Sequence, residues 1–184
     1  MKALNKKTTT MKKSIIYIAI ALLAGPMVMA QEFNVGTNVI NGGIGFGGRY
    51  GNYTTSSQSP GFSISYERGI WDVPGPGVVS LGGYVGTKTY KYNYLGGNDK
   101  WSYTIIGVRG AYHYTGLNVD KLDVYGGLMA TYNFLSYSGA GSYGGGLGAT
   151  AFAGGRWYFS KNLAVFAELG YGVAYLTVGA SIRI

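Results

Sequence analysis

The side chains able to do chemistry in this sequence are few and dispersed. Eight ionisable residues, Arg49, Glu67, Lys88, Arg109, Asp123, Arg156, Glu168 and Arg183, are strung singly along the chain rather than gathered into a motif. His113 is the only imidazole, which excludes a multi-histidine metal centre. The absence of cysteine excludes thiolate metal sites and a disulfide scaffold. No nucleophile, base and acid are recognisable as a set around His113. Gly43-Ile-Gly-Phe-Gly-Gly48 matches G-x-G-x-x-G by letter. A dinucleotide fingerprint needs a helix next, however, and Arg49-Tyr-Gly-Asn-Tyr-Thr leads into a loop. Small residues that ease close packing in a strand account for the match. No catalytic residue, cofactor-binding residue, cofactor or metal ligand is therefore assigned.

The charge balance narrows the partners. The 184 residues carry a formal +8, but Lys2, Lys6, Lys7, Lys12 and Lys13 all lie in the first thirty, ahead of every acid. From residue 31 onward ten cations face seven anions, so a nucleic-acid reading loses its support. Met11-Lys-Lys, the apolar run Ile15–Leu23 and Val28-Met29-Ala30 are the basic, apolar and small-residue regions of a secretory signal, with cleavage expected after Ala30. Met11 could itself begin that signal, leaving residues 1–10 as an upstream extension. The apolar run is short of the roughly 20 residues a membrane helix requires. Residues 31–184 form one exported domain.

The elements that position the eight charges alternate with period two, the signature of half-buried strands. Leu176, Val178, Ala180, Ile182 and Ile184 alternate with Thr177, Gly179, Ser181 and Arg183. Leu163, Val165, Ala167 and Leu169 alternate with Ala164, Phe166, Glu168 and Gly170. Residues 147–159 set Leu147, Ala149, Ala151, Ala153, Trp157 and Phe159 against Gly148, Thr150, Phe152, Arg156 and Tyr158. Residues 122–134 set Leu122, Val124, Leu128 and Ala130 against Asp123, Tyr125 and Met129. Similar patterns over 104–114, 78–90, 62–67 and 40–49 bring the count to eight strands. Segments near 51–60, 92–100 and 136–144 read as long loops, and those near 71–77, 115–121 and 159–162 as tight turns. The connection at 170–174 is short for the long-loop end.

Two barrels satisfy such a pattern: a soluble one with its apolar face inside, and a membrane barrel with that face outside. The eight charges share the less apolar face. This is required of a membrane barrel, where a lipid-facing Arg at mid-depth costs about 2–4 kcal/mol. Trp157, Phe159, Tyr112 and Tyr114 collect near the tight turns, and Tyr50, Tyr132, Phe134 and Tyr171 near the long loops, as two interfacial belts. The fold expected is an all-β, eight-stranded, antiparallel up-and-down transmembrane barrel. Its lumen is just wide enough for side chains to fill, so the charges form an internal plug, with a gated narrow pore as the alternative.

Gly155-Arg-Trp-Tyr-Phe-Ser-Lys-Asn-Leu-Ala-Val-Phe-Ala-Glu-Leu-Gly-Tyr-Gly172 and the alternating terminus resemble the small outer-membrane barrels of the OmpX/OmpA transmembrane type. They are most similar to the Gly- and Tyr-rich outer-membrane β-barrel domain proteins of Bacteroidetes. The resemblance covers residues 33–184 as a pattern and the last third residue by residue. Such proteins usually end in Phe as part of the assembly signal, where this chain has Ile184. The resemblance implies a monomer in a Gram-negative outer membrane. Its partners would be membrane lipid, lipopolysaccharide and, during insertion, the barrel-assembly machinery. Tyr53, Tyr94, Trp101, Tyr137 and Tyr143, set among Ser, Gly and Asn, have the composition of a binding surface as well as that of interfacial anchors. The function expected is a non-enzymatic envelope or surface-interaction role. Small-solute or lipid transport, and a soluble periplasmic ligand-binding barrel, stand as alternatives.

Overall fold

The computed structural model describes residues 33–48, 57–95, 97–117, 119–138 and 144–184, the side chains of Tyr94 and Asn98 excepted. Nine strands follow in chain order: β1 (Asn38–Phe46), β2 (Ser57–Gln58), β3 (Gly61–Val73), β4 (Gly77–Tyr94), β5 (Gly97–Tyr114), β6 (Leu122–Tyr137), β7 (Gly146–Tyr158), β8 (Leu163–Gly170) and β9 (Leu176–Arg183). All pairings are antiparallel. Apart from β2, each strand pairs with the next in the chain, and β1 also pairs with β9 from Val39↔Arg183 to Phe46↔Leu176. The eight long strands thus close into a barrel, and β2 adds only a two-residue pairing to β4 at Lys91 and Tyr90. Closure removes the unpaired edges that an open sheet would present.

The pleat sends successive side chains to opposite faces. Ile40, Ile44, Phe62, Ile64, Leu81, Val85, Ile106, Val108, Leu128, Val165 and Ile182 are exposed on the outside, whereas Asn41, Ser65, Glu67, Lys88, Arg109, His113, Asp123 and Arg156 are buried within. Apolar outside and ionic inside is the reverse of a soluble domain. Charges outside those eight depart from the inward face: Lys91 and Lys100, cross-strand partners towards the loop end, and Arg68. Arg68 shares the outward side with Phe62, Ile64 and Tyr66 and pairs with Asn38, at the turn end of the wall.

The turn end holds 74–76, 115–121 and 159–162. The Pro74-Gly75-Pro76 turn needs its glycine, since Gly75 has φ 108°. Residues 33–37 form a strap across this end, tied by Gly36 N to Gly69 O (2.9 Å) and Gly69 N to Thr37 O (2.9 Å).

The loop end differs from expectation in two places. The segment near 92–100 is not a long loop. β4 and β5 remain paired out to Tyr94↔Gly97, whereas the β3–β4 pairing ends at Phe62↔Thr87 and the β6–β7 pairing at Asn133↔Gly146. Among the described residues β4, β5 and β6, with β2 against β4, therefore extend beyond the pairings of the other strands as a fin. The second difference accounts for the short connection between β8 and β9, which turns into the barrel. Val173 and Ala174 are buried, and Val173 packs with Tyr84, Ala111, Tyr125, Met129 and Phe152. Its amide donates to Tyr84 Oη at 3.3 Å. Gly86 and Gly45 leave the room: a Cβ on Gly86 would lie 2.7 Å from Val173 Cγ1, and one on Gly45 2.5 Å from the Ala174 Cβ.

Candidate functional site

The lumen is built in tiers, each assembled from residues that the register brings level. In the tier nearest the turn end, Asp123 on β6 and Arg156 on β7 are direct cross-strand partners, as are Asn41 and both Ser65 and Ser181. Arg156 Nη1 donates to Asp123 Oδ2 at 2.6 Å, its Nη2 pairs with Glu67 Oε1, and its Nε donates to Asn41 Oδ1 at 3.1 Å. Ser181 Oγ reaches the same Asn41 oxygen at 2.7 Å, and Asn41 Nδ2 donates to Ser65 Oγ at 2.9 Å. The guanidinium also lies 4.3 Å from the Tyr125 ring. Arg156, Glu67, His113 and Ser181 are wholly buried. A buried charge needs such pairing and saturation of its hydrogen-bonding groups.

The next tier holds Arg109 and Glu168. Arg109 Nη2 donates to Glu168 Oε2 at 2.7 Å, Tyr125 Oη donates to the same oxygen at 3.2 Å, and the guanidinium lies 3.9 Å from the Phe152 ring. Glu67 and Glu168 thus each meet one arginine, and Asp123 shares Arg156 with Glu67. Two more of the eight sequence-assigned charges lie towards the ends of the lumen. Lys88 lies nearer the loop end, where its ammonium donates to Gly47 O. Arg183 stacks its guanidinium 4.4 Å from the Tyr158 ring at the turn end. Arg49 lies outside the described residues.

One arrangement was not legible in the chain. Ser80 Oγ is 3.0 Å from His113 Nε2, and His113 Nδ1 is 2.8 Å from Asp123 Oδ1. A serine, an imidazole and a carboxylate therefore do form a chain around His113, which corrects the expectation that none does. The three sit on adjacent strands β4, β5 and β6, so only the register of those strands could have revealed it. Reaction would require room for a substrate and oxyanion donors beside the nucleophile. Ser80 is 1% exposed, and its hydroxyl also lies 3.3 Å from Glu67 Oε2. The Phe33 ring is stacked on His113 with centroids 3.6 Å apart and planes 3° from parallel. Phe33, Val39 and Val78 close the turn end beneath it. Incubation of the folded protein with a fluorophosphonate is expected to leave Ser80 unmodified by peptide mass spectrometry; a Ser80 adduct would make the chain catalytic. Among the described residues no group of three acidic, thiol or imidazole side chains is arranged to hold a metal ion.

The aromatic residues take two levels on the outer wall. Tyr112 and Tyr114 are exposed and Trp157 and Phe159 half-buried towards the turn end, with Tyr112 Oη donating to Pro76 O at 3.1 Å. Tyr132, Phe134 and Tyr171 are exposed towards the loop end. Of the loop aromatics, Trp101 and Tyr137 prove to be strand residues of the fin. Their rings stack at 5.2 Å, and Tyr137 Oη donates to Asp99 Oδ2 at 2.9 Å. Tyr50, Tyr53 and Tyr143, the Tyr94 side chain and residues 1–30, where a signal is expected, lie outside the described residues. Above the Arg109–Glu168 tier the lumen opens to the loop end as a cavity of about 220 Å³, lined among others by Lys88, Tyr90, Tyr103, Thr131, Asn133 and Thr150.

No family model and no curated protein matches the chain. Among solved structures it is similar to a de novo designed transmembrane β-barrel, at 17% identity and a TM-score of 0.51, covering 84% of this chain and 100% of that one. It is also similar to Ail, the attachment invasion locus protein of Yersinia pestis. The match to the Ail crystal structure in complex with the heparin analogue sucrose octasulfate is 12% identical, with a TM-score of 0.49, covering 80% of this chain and 93% of that one. The match to Ail in a phospholipid bilayer nanodisc is 16% identical, with a TM-score of 0.46, covering 81% and 99%. At these identities the likeness is one of fold, and the fold is that of a small, closed, eight-stranded transmembrane β-barrel.

Proposed function

We propose that this chain is an integral outer-membrane barrel of a Gram-negative envelope, exported by cleavage of residues 1–30, non-enzymatic, and sealed across its lumen. The observation that carries the reading is the radial inversion of the molecule. Arg156, Glu67, Asp123 and His113 are enclosed, while Ile, Leu, Val and Phe side chains cover the outside between two levels of aromatic rings. Water would strip such a surface of its stability, whereas acyl chains solvate it. The seal follows from the two ion-pair tiers, the Val173 loop above them and Phe33 below. Lipid and lipopolysaccharide are the partners this wall suits, the assembly machinery would insert it, and a monomer closes the ring of eight long strands without a second chain. The fin of β4, β5 and β6 supports a role at the cell surface.

The test is fractionation with outer membranes, detergent-dependent solubility and heat-modifiable gel migration, together with planar-bilayer recording. Expected are membrane recovery and no steady conductance. A large steady conductance would instead make the protein a pore, and stability of the purified barrel in plain buffer would remove the membrane reading.

A further inference from the structure

We infer that the cavity at the loop end is a binding site for a small hydroxylated monocarboxylate, of the sugar-acid class, with Lys88 as its anion contact. Lys88 is 2% exposed, and a buried ammonium calls for an opposite charge. Its described partners are neutral: the Gly47 carbonyl and the Tyr90 ring, whose centroid is 5.3 Å from Nζ. Among the described residues it makes no ion pair, unlike Arg109 and Arg156. Among the described residues the other side-chain carboxylates are committed or distant. Glu67 and Asp123 serve Arg156, and Glu168 serves Arg109. Asp99 lies four residues beyond Tyr103, the cross-strand partner of Lys88, and accepts from Tyr137. Asp72 and Asp120 belong to the turn end. Residues 49–56 and 139–143 contain no acid, and Glu32 directly precedes Phe33 in the chain. The missing counter-charge is therefore one that a ligand would bring.

The remaining walls fit the rest of such a molecule. Thr131, Asn133 and Thr150 line one side with hydroxyl and amide groups. Tyr90 and Tyr103, edge to face at 6.1 Å, supply ring surface for the C–H face of a sugar. A volume of about 220 Å³ corresponds to about seven waters at about 30 Å³ each, which admits one ring and not a chain. One ammonium matches one negative charge, so a carboxylate suits the site better than a doubly charged phosphate. Val173, which lines this cavity and joins the packed cluster beneath it, makes the cup blind, so a ligand enters and leaves by the loop end.

The experiment is titration of the refolded full-length barrel in detergent micelles with D-glucuronate, and separately with D-glucose. It is followed by amide and side-chain NMR shifts of Lys88, Thr131, Asn133 and Thr150. Expected is a saturable glucuronate response with a Kd of about 1 mM or tighter, weakened about tenfold or more for glucose and in Lys88→Gln, and largely kept in Lys88→Arg. No saturable glucuronate response, an equal response to glucose, or a response unchanged in Lys88→Gln would each overturn the assignment. Should Lys88→Gln fail to show heat-modifiable migration, Asn133→Leu is the second variant, and undiminished binding there overturns it as well. Membrane fractionation is scored independently, so the cup and the membrane reading can fail separately.

Discussion

Arg156→Met should lower the unfolding free energy by about 3–5 kcal/mol, the cost of removing one partner from a buried ion cluster. The guanidinium is wholly buried and holds Glu67, Asp123 and Asn41 at once. Methionine fills much of the volume but leaves two carboxylates facing each other across His113 without the guanidinium that paired with both. Most of the loss therefore comes from the groups left behind, not from the bond removed. Adding Glu67→Gln and Asp123→Asn to Arg156→Met should restore a substantial part of the stability, a recovery that a purely steric defect would not show. Urea unfolding in detergent micelles measures both. A loss below about 1 kcal/mol, the level of an exposed pair, would mean that the tier is hydrated and contributes little.

Val108→Arg should cost about 2–4 kcal/mol when folding is measured in phospholipid vesicles. Val108 is 69% exposed on the outer wall, between Gly83 on β4 and Ala130 on β6 and well below the level of Tyr132 and Phe134. On a soluble protein such an exposed site would tolerate arginine within about 0.5 kcal/mol, so the substitution separates the two barrels that the alternation alone permits. Tyr114→Arg, at the turn-end level, supplies the depth control, with about 0–1 kcal/mol expected near an interface. Equal, small effects at both positions would show that the wall faces water.

How far the sequence could be read depended on what forced each side chain. Between the two aromatic levels every outward position must be apolar, so Leu128, Val108 and Ile182 could be assigned to one face and Arg109, Asp123 and Glu168 to the other from period two alone. Beyond that band the constraint lapses. Tyr92, Asn93, Asn98 and Asp99 look like a loop because no lipid demands alternation there, yet backbone pairing carries β4 and β5 on to Tyr94 and Gly97. Register was out of reach for the same reason that it matters: Ser80, His113 and Asp123 become neighbours only once turn lengths are known. Phe33 reads as the tail of an exported chain and Val173 as a loop residue, and both are instead buried lumenal side chains. A single apolar residue without a periodic context gives no hint that it turns inward.

The join between β1 and β9 has a temporal consequence. Asn41 and Ser181, 140 positions apart, are bonded across it at 2.7 Å, and β9 is the last strand of the barrel in chain order. Until it arrives, the nascent cylinder is an open sheet with two raw margins, each a template for mispairing with another chain. Contacts of such long separation also slow folding. On the proposed route of export, protection of those margins until β9 pairs with β1 is what this seam calls for.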